Sequence, residues 1–331
     1  MLHMTARRLS LILALGVALG ACGAPAAPAA PTQAVSPLVA ATSTVPPEPT
    51  VEAVDGAGKT IRLAGPAQRI VSLAPSNTEL LFAIGAGAQM VGRDEFSDYP
   101  EAAKALPAIA TGMGKLNTEA VVALEPDLIL AAEITPPDQV ETLRGLGFTV
   151  FVVINPDDFE GLYGNVLSLG TLTGRGSAAQ GLADELRDRV TAVGQKLSSA
   201  TTSPRVFYEL DGTDPTKPWT SGPGTFLDLL IRAAGGTNVG AVLSSQFAQI
   251  SSEELVRQDP QVILLGDTAY GTTIEGVSAR AGWATMTAIK RKAVFPFDDN
   301  LVSRPGPRMV DGLEQLARLI HPELFAQQAE Y

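Results

Sequence analysis

"RIVSLAPSNTELL" (residues 69–81) sets Pro75, Ser76, Asn77, Thr78 and Glu79 between two apolar runs. Ile70, Val71 and Leu73 read as a short buried strand. Ser76 followed three residues later by Glu79 reads as a capping box with Pro75 just outside it. Leu80, Leu81 and Ile84 then begin a helix that Gly85 can end. The unit is strand, tight turn, helix. It fits any α/β domain as a capped αβ unit. It also fits a helix N-terminus displayed at the carboxyl end of a strand, where open α/β sheets bind ligands.

Outward from this unit the same grammar recurs. "NTEAVVALEPDLILA" (117–131) and "SSEELVRQDPQVILLG" (251–266) share Glu119/Glu253, Val122/Val256, Pro126/Pro260, Ile129/Ile263 and Leu130/Leu264. Each reads as a capped short helix, a Pro stop and a buried strand, with Ser251 and Glu254 as a second capping box. "GKTIRL", "QMVGRD" and "TVFVVI" in the first half read as strands, as do "RVFYEL" and "AVFPF" in the second. Alternating strands and helices predict two parallel-sheet α/β lobes, 54–156 and 200–331. Between them, Leu182, Leu186, Val190, Val193 and Leu197 step by three and four, an apolar stripe on a long helix within 157–199. A helix joining two lobes is stiffer than crossing strands and predicts a small closure motion.

The start of the chain reads as an export signal. "MTARR" is basic, "LSLILALGVALGA" is apolar but too short to span a bilayer, and the chain's one cysteine, Cys22, follows directly. Residues 1–23 resemble a bacterial lipoprotein signal, which implies cleavage after 21 and a diacylglyceryl group on Cys22. Residues 22–53, rich in Pro, Ala and Thr, read as a disordered tether. Loss of Arg7 and Arg8 with the signal, which has no acidic residue, takes the net charge from −11 to −13. An acidic body without basic runs argues against nucleic acid.

Catalytic and metal chemistry find little support. The two histidines are His3, within the signal, and His321, read as a helix-end residue. No HExxH, GxSxG or P-loop is present, and zinc or manganese carriage would call for clustered imidazoles. A secreted α/β hydrolase using Ser76 or Ser221 remains the rival from another class. An adhesin or sensor lipoprotein is a third.

Taken together, "RIVSLAPSNTELLFAIGAG", "DEFSDYPEAAK", "NTEAVVALEPDLILA", "KPWTSGPGTFLDLLIRAAGG", "ISSEELVRQDPQVILL" and "RPGPRMVDGLEQLA" resemble, in order, the ABC-importer binding proteins for vitamin B12, ferric siderophores and haem. "PWTSG" and "SDYP" look most like the cobalamin carriers. The resemblance implies two Rossmann-like lobes, a long bridging helix and a ligand in the cleft between them. It implies a non-enzymatic, extracytoplasmic, monomeric carrier with no cofactor, whose partners are a corrinoid and an ABC permease dimer with its ATPase.

Carried over residue by residue, the resemblance makes "APSNTELL", with Ser76 and Asn77, one wall of the cleft. It sets Phe96, Trp219 and Phe247 as aromatic contacts and Arg304 as a polar contact to the ligand's edge. Plain core packing is the alternative for each aromatic. Tyr99 reads as a turn residue. Ala132 and Gly112-Met113 stand where cobalamin carriers often have tryptophans, a departure that Met113 can partly fill. A haem ligand would need Tyr208 or Tyr270 as its axial group. Glu119 and Glu253 match glutamates that meet permease arginines; alternatively they are ordinary partners of a helix dipole.

Overall fold

The computed structural model describes residues 50–109 and 116–325. Cys22, Met113 and the signal segment lie outside the described residues. The first described element corrects the tether boundary at 53: β1 (Val51–Val54) pairs antiparallel with β2 (Thr60–Leu63). Val51 lies opposite Leu63 and Ala53 opposite Ile61, so one face of the hairpin packs on the core and holds residues 51–53 in register. "GKTIRL" therefore belongs to this hairpin and not to the main sheet.

The first lobe follows as β3 (Ile70–Ser72), α1 (Pro75–Ala83), β4 (Met90–Arg93), α2 (Thr118–Ala123), β5 (Leu128–Ala132), α3 (Pro137–Gly145) and β6 (Val150–Val153). Its four strands are parallel, in the order β4-β3-β5-β6. Then come α4 (Phe159–Thr173) and α5 (Gly176–Leu197), separated by Gly174 in the left-handed region (φ 69°). The bridging segment is thus two helices, with the apolar stripe on the longer one. Leu186 and Val193 are buried, and Leu182, Val190 and Leu197 pack against the core.

The second lobe contains β7 (Arg205–Glu209), β8 (Trp219–Ser221), α6 (Phe226–Ala233), β9 (Thr237–Asn238), β10 (Phe247–Gln249), α7 (Ser252–Gln258) and β11 (Val262–Leu265). It continues with α8 (Ile274–Ser278), α9 (Thr287–Lys290), β12 (Val294–Pro296), α10 (Asn300–Ser303), α11 (Met309–Ile320) and α12 (Pro322–Phe325). Its parallel sheet has the order β12-β11-β7-β9, while β8 and β10 form a separate antiparallel pair. Counted in chain order within each sheet, both lobes run 2-1-3-4.

The repeat extends to backbone detail. Glu125 and Asp259, which end α2 and α7, are both left-handed (φ 44° and 47°). Arg69, just before β3, donates to the carbonyls of Leu124 and Glu125 (2.6–3.2 Å). Arg205, at the start of β7, donates to those of Gln258 and Asp259 (2.6–3.0 Å). In each lobe one guanidinium satisfies the orphan carbonyls of the helix leading into the third strand. The caps differ in kind: Asn117 caps α2, and Ser251 caps α7 by accepting from the Glu254 N–H at 3.1 Å. Glu254 does not complete a capping box, because its carboxylate is held by Arg257 and Gln258.

Parallel strands are covered on both faces, so they read as unbroken apolar runs. Ile70, Leu128 and Leu130 face a core shared with Val206, Tyr208 and Leu264 of the other lobe, while Val71 and Ile129 face a second cluster and Phe207 and Ile263 a third. The shared core runs through α4, α5 and α11. Arg189 of α5 reinforces it by pairing with Asp311 and Glu314 of α11 (2.5 and 2.9 Å).

Candidate functional site

Helix α1 begins differently from its sequence reading. Ala74 is its N-cap, Pro75 is its first residue, and no side chain caps it. Ser76 therefore lies inside the first turn, and the Ser76–Glu79 capping box is corrected. The reason is 229 residues away: Arg308 grips the Glu79 carboxylate with two hydrogen bonds (2.8 and 2.5 Å), and Arg304 adds a third at 3.4 Å. Glu79 is 2 % exposed, and Arg304 and Arg308 are 14 % and 15 % exposed. A charge-assisted fork of this kind outweighs one helix cap. Arg304 also donates to Asp98 at 2.6 Å, and Arg308 lies 4.0 Å over the Tyr99 ring. Both arginines belong to the second lobe by sequence, so this network clamps the lobes together. Arg304, expected at the ligand's edge, gives its Nη1 to this clamp.

Asn77 is also corrected. It is fully buried, and its Nδ2 donates to the carbonyls of Leu130 and Ala131, which ties α1 to β5. Ser76 is buried as well, with its backbone against Gly306 of the 304–308 loop. Neither side chain forms an open cleft wall.

Phe96 is exposed. It follows the carboxyl end of β4 on a loop fixed from below by a buried polar chain. Asp94 accepts from the Phe96 N–H (2.8 Å) and from Ser97 Oγ; Ser97 meets Thr78 (2.8 Å), and Thr78 donates to Ser72 (2.9 Å). Burial pushes the Asp94 carboxyl above its ordinary value, against the pull of those hydrogen bonds.

On the second lobe Trp219 extends from the end of β7, exchanging backbone bonds with Leu210 and Asp211. In the β8–β10 ladder Trp219 pairs with Gln249 and Ser221 with Phe247, so Trp219 and Phe247 share a face. The turn after β8 requires Gly222, since a Cβ there would lie 2.0 Å from the Ser245 carbonyl. Phe96, Trp219 and Phe247 are 59 %, 42 % and 47 % exposed. Three large aromatics left open near sheet carboxyl ends are not core packing.

Two cavities of about 470 and 480 Å³ open at the ends of β7, β11 and β12, and Tyr270 lines both. Tyr270 is 91 % exposed. Tyr208 is fully buried and donates to Asp299 at 2.8 Å. Burial pushes its phenol well above the ordinary value, so of the two tyrosines considered for haem only Tyr270 is reachable. Beneath the second cavity Glu209 is fully buried and paired bidentately with Arg280. For the hydrolase reading, Ser221 meets Thr225 at 2.5 Å, and the buried His321 ring is engaged at both nitrogens by Gly235 and Glu323. No base faces either serine among the described residues.

Glu119 and Glu253 each occupy the second position of their helix, α2 and α7, and both are exposed. Among the described residues neither takes part in an ion pair. The like topology of the two lobes makes these positions equivalent.

Several site features escaped the sequence reading. The Glu79–Arg308 clamp and the buried Asp94 chain carry no local pattern, since their partners come from distant segments.

Residues 70–301 match the model of the family described as periplasmic binding protein. A cobalamin-binding protein of Halobacterium salinarum is 32 % identical over 275 residues, covering 81 % of this chain and 73 % of that one. The crystal structure of the periplasmic vitamin B12 binding protein BtuF of Vibrio cholerae aligns with a TM-score of 0.68 and 29 % identity, covering 79 % of this chain and 99 % of that one. The periplasmic heme-binding protein RhuT from Roseiflexus sp. RS-1, in apo form, aligns with a TM-score of 0.69 and 27 % identity, covering 78 % and 99 %. With its two like α/β lobes and the long helix between them, the chain belongs to the periplasmic binding protein family of ABC importers.

Proposed function

We propose that this protein is a lipid-anchored, extracytoplasmic carrier that captures a corrinoid and delivers it to an ABC permease. The observation that carries the reading is the exposed aromatic trio Phe96, Trp219 and Phe247 near the carboxyl ends of the two sheets. Flat macrocycles are held by such groups, which bury large areas while freezing few rotamers. The cobalamin-binding and vitamin B12-binding relatives support the ligand class. The resemblance adds Met113 as a further candidate contact. Diacylglyceryl on Cys22 supplies the anchor, and Glu119 and Glu253 engage permease arginines, one per lobe. The decisive experiment is a visible-spectrum titration of the purified protein with cyanocobalamin, haemin and ferric siderophores. Saturable binding of cyanocobalamin is the expected result, and binding of haemin or a siderophore alone would overturn the ligand assignment.

Haem is the second reading, favoured by one observation: the phenol of Tyr270 stands exposed at both cavities. If haem is the cargo, Tyr270→Phe changes its Soret spectrum; if a corrinoid is the cargo, Tyr270→Phe leaves the corrinoid spectrum unchanged.

A further inference from the structure

The buried chain beneath Phe96 has four contacts between oxygen atoms and three hydroxyl hydrogens to fill them. Ser72, Thr78, Asp94 and Ser97 are all buried. Ser72 Oγ lies 3.0 Å from the Ala74 carbonyl, Thr78 Oγ1 lies 2.9 Å from Ser72 and 2.8 Å from Ser97, and Ser97 Oγ meets Asp94 Oδ2. Two oxygens this close need a hydrogen between them, and each hydroxyl brings one. Ser72 gives its hydrogen to Ala74, because a carbonyl has none, and Thr78 gives its own to Ser72. An ionised Asp94 takes the Ser97 hydrogen, and the Thr78–Ser97 contact is left with none. A carboxylic acid at Asp94 supplies the fourth. Its Oδ2 then donates to Ser97, Ser97 to Thr78, Thr78 to Ser72 and Ser72 to Ala74, while Oδ1 remains the acceptor for the Phe96 N–H at 2.8 Å.

Among the described residues no cation pairs with the Asp94 carboxylate. Arg93, beside it on β4, gives Nη1 to the carbonyls of Asp94 and Glu95. Glu79, next to Thr78 on α1, is held by Arg308 and Arg304; on the loop side Asp98 is held by Arg304, and Lys104 pairs with Glu101. Burial raises the Asp94 carboxyl, and its hydrogen bonds and the charge of Arg93 lower it by less. We propose that Asp94 is a neutral acid that donates to Ser97, and that in this form it positions Phe96 for the ligand. This rests on the reading of Phe96 as a ligand contact, and adds to it the group that sets the Phe96 loop and the charge state in which it does so.

The test compares Asp94→Asn with the wild type. The amide of D94N carries hydrogens at every pH, so it can close the chain that an ionised carboxylate leaves open, and its oxygen can still accept from Phe96. The carboxyl carbon of Asp94, assigned in NMR spectra by its absence from D94N, is followed with pH. Its midpoint should lie above the ordinary 3.8. Cyanocobalamin affinity is then measured across that midpoint. Below it the two proteins should bind alike. Above it the wild type, one hydrogen short, should bind about threefold to tenfold more weakly than D94N, the scale of one hydrogen bond. A role confined to stability would move unfolding without moving this pH-dependent ratio.

A midpoint at or below 3.8 overturns the neutral acid, and so does a D94N protein that fails to fold, since its amide supplies the fourth hydrogen. A ratio of D94N to wild-type affinity that stays constant across the midpoint overturns the positioning of Phe96. If haemin binds and cyanocobalamin does not, the corrinoid reading fails by itself, and the same ratio is read with haemin. If neither binds at any pH, the positioning role falls with the carrier reading, while the midpoint still decides the neutral acid.

Discussion

Replacing Glu79 with glutamine tests the clamp that joins the lobes. Removing one partner of a buried ion pair costs about 3–5 kcal/mol, because the opposite charge is left desolvated and unpaired. Here the figure is smaller. Arg304 retains Asp98 at 2.6 Å, Arg308 retains the Tyr99 ring at 4.0 Å, and both guanidiniums keep some solvent contact. The substituted side chain also keeps one acceptor oxygen. The expected loss is therefore about 2–3 kcal/mol, below the full range for a sealed pair. Urea unfolding of wild type and Glu79→Gln, with the midpoint and slope compared, measures it. Glu101→Gln is the control, since its partner Lys104 is solvent-exposed and a screened surface pair contributes little. A Glu79→Gln loss no larger than that of Glu101→Gln would refute the reasoning and reduce the clamp to a screened surface pair.

Trp219→Ala should weaken cyanocobalamin binding by about 1–3 kcal/mol without altering unfolding; unchanged affinity in calorimetry would remove Trp219 from the cleft. Glu119→Arg with Glu253→Arg should leave ligand affinity intact while abolishing uptake through the reconstituted transporter, because like charges would face each other at the interface. Normal uptake would return both glutamates to helix-dipole partners. Burial raises the Asp98 carboxyl, but the hydrogen bond and charge of Arg304 outweigh it and hold the group below its ordinary 3.8. Its stabilisation is thus present above that value and is lost as the pH falls through the lowered pKa. The stability gap between wild type and Asp98→Asn should accordingly narrow in acid, and a gap that widens there contradicts the assignment. Cys22→Ser should leave the protein unacylated, and labelled fatty acid still entering the variant would disprove the anchor.

What the sequence determined by itself is what shows as a run, a stripe or a repeated segment. The strands "RIVSLA", "DLILA", "RVFYEL" and "QVILLG" announced themselves because parallel strands buried on both faces must be apolar throughout. The stripe on α5 and the matched Glu119 and Glu253 were visible for the same reason: helix faces and internal repeats are local patterns. The aromatics Phe96, Trp219 and Phe247 were singled out by family resemblance, and the structure leaves them exposed.

Only the tertiary structure decided the fate of the polar residues in "APSNTELL". Ser76 and Glu79 have the spacing of a capping box, but a carboxylate takes the strongest donors within reach. Those are guanidiniums carried in from beyond residue 300. Asn77 turned inward to donate to two carbonyls of β5, and Arg304 gives its Nη1 to Asp98 and Glu79. Apolar burial follows a short-range periodicity that a sequence displays. A hydrogen bond is a pairing between two particular groups, and the second group is known only once the chain has folded.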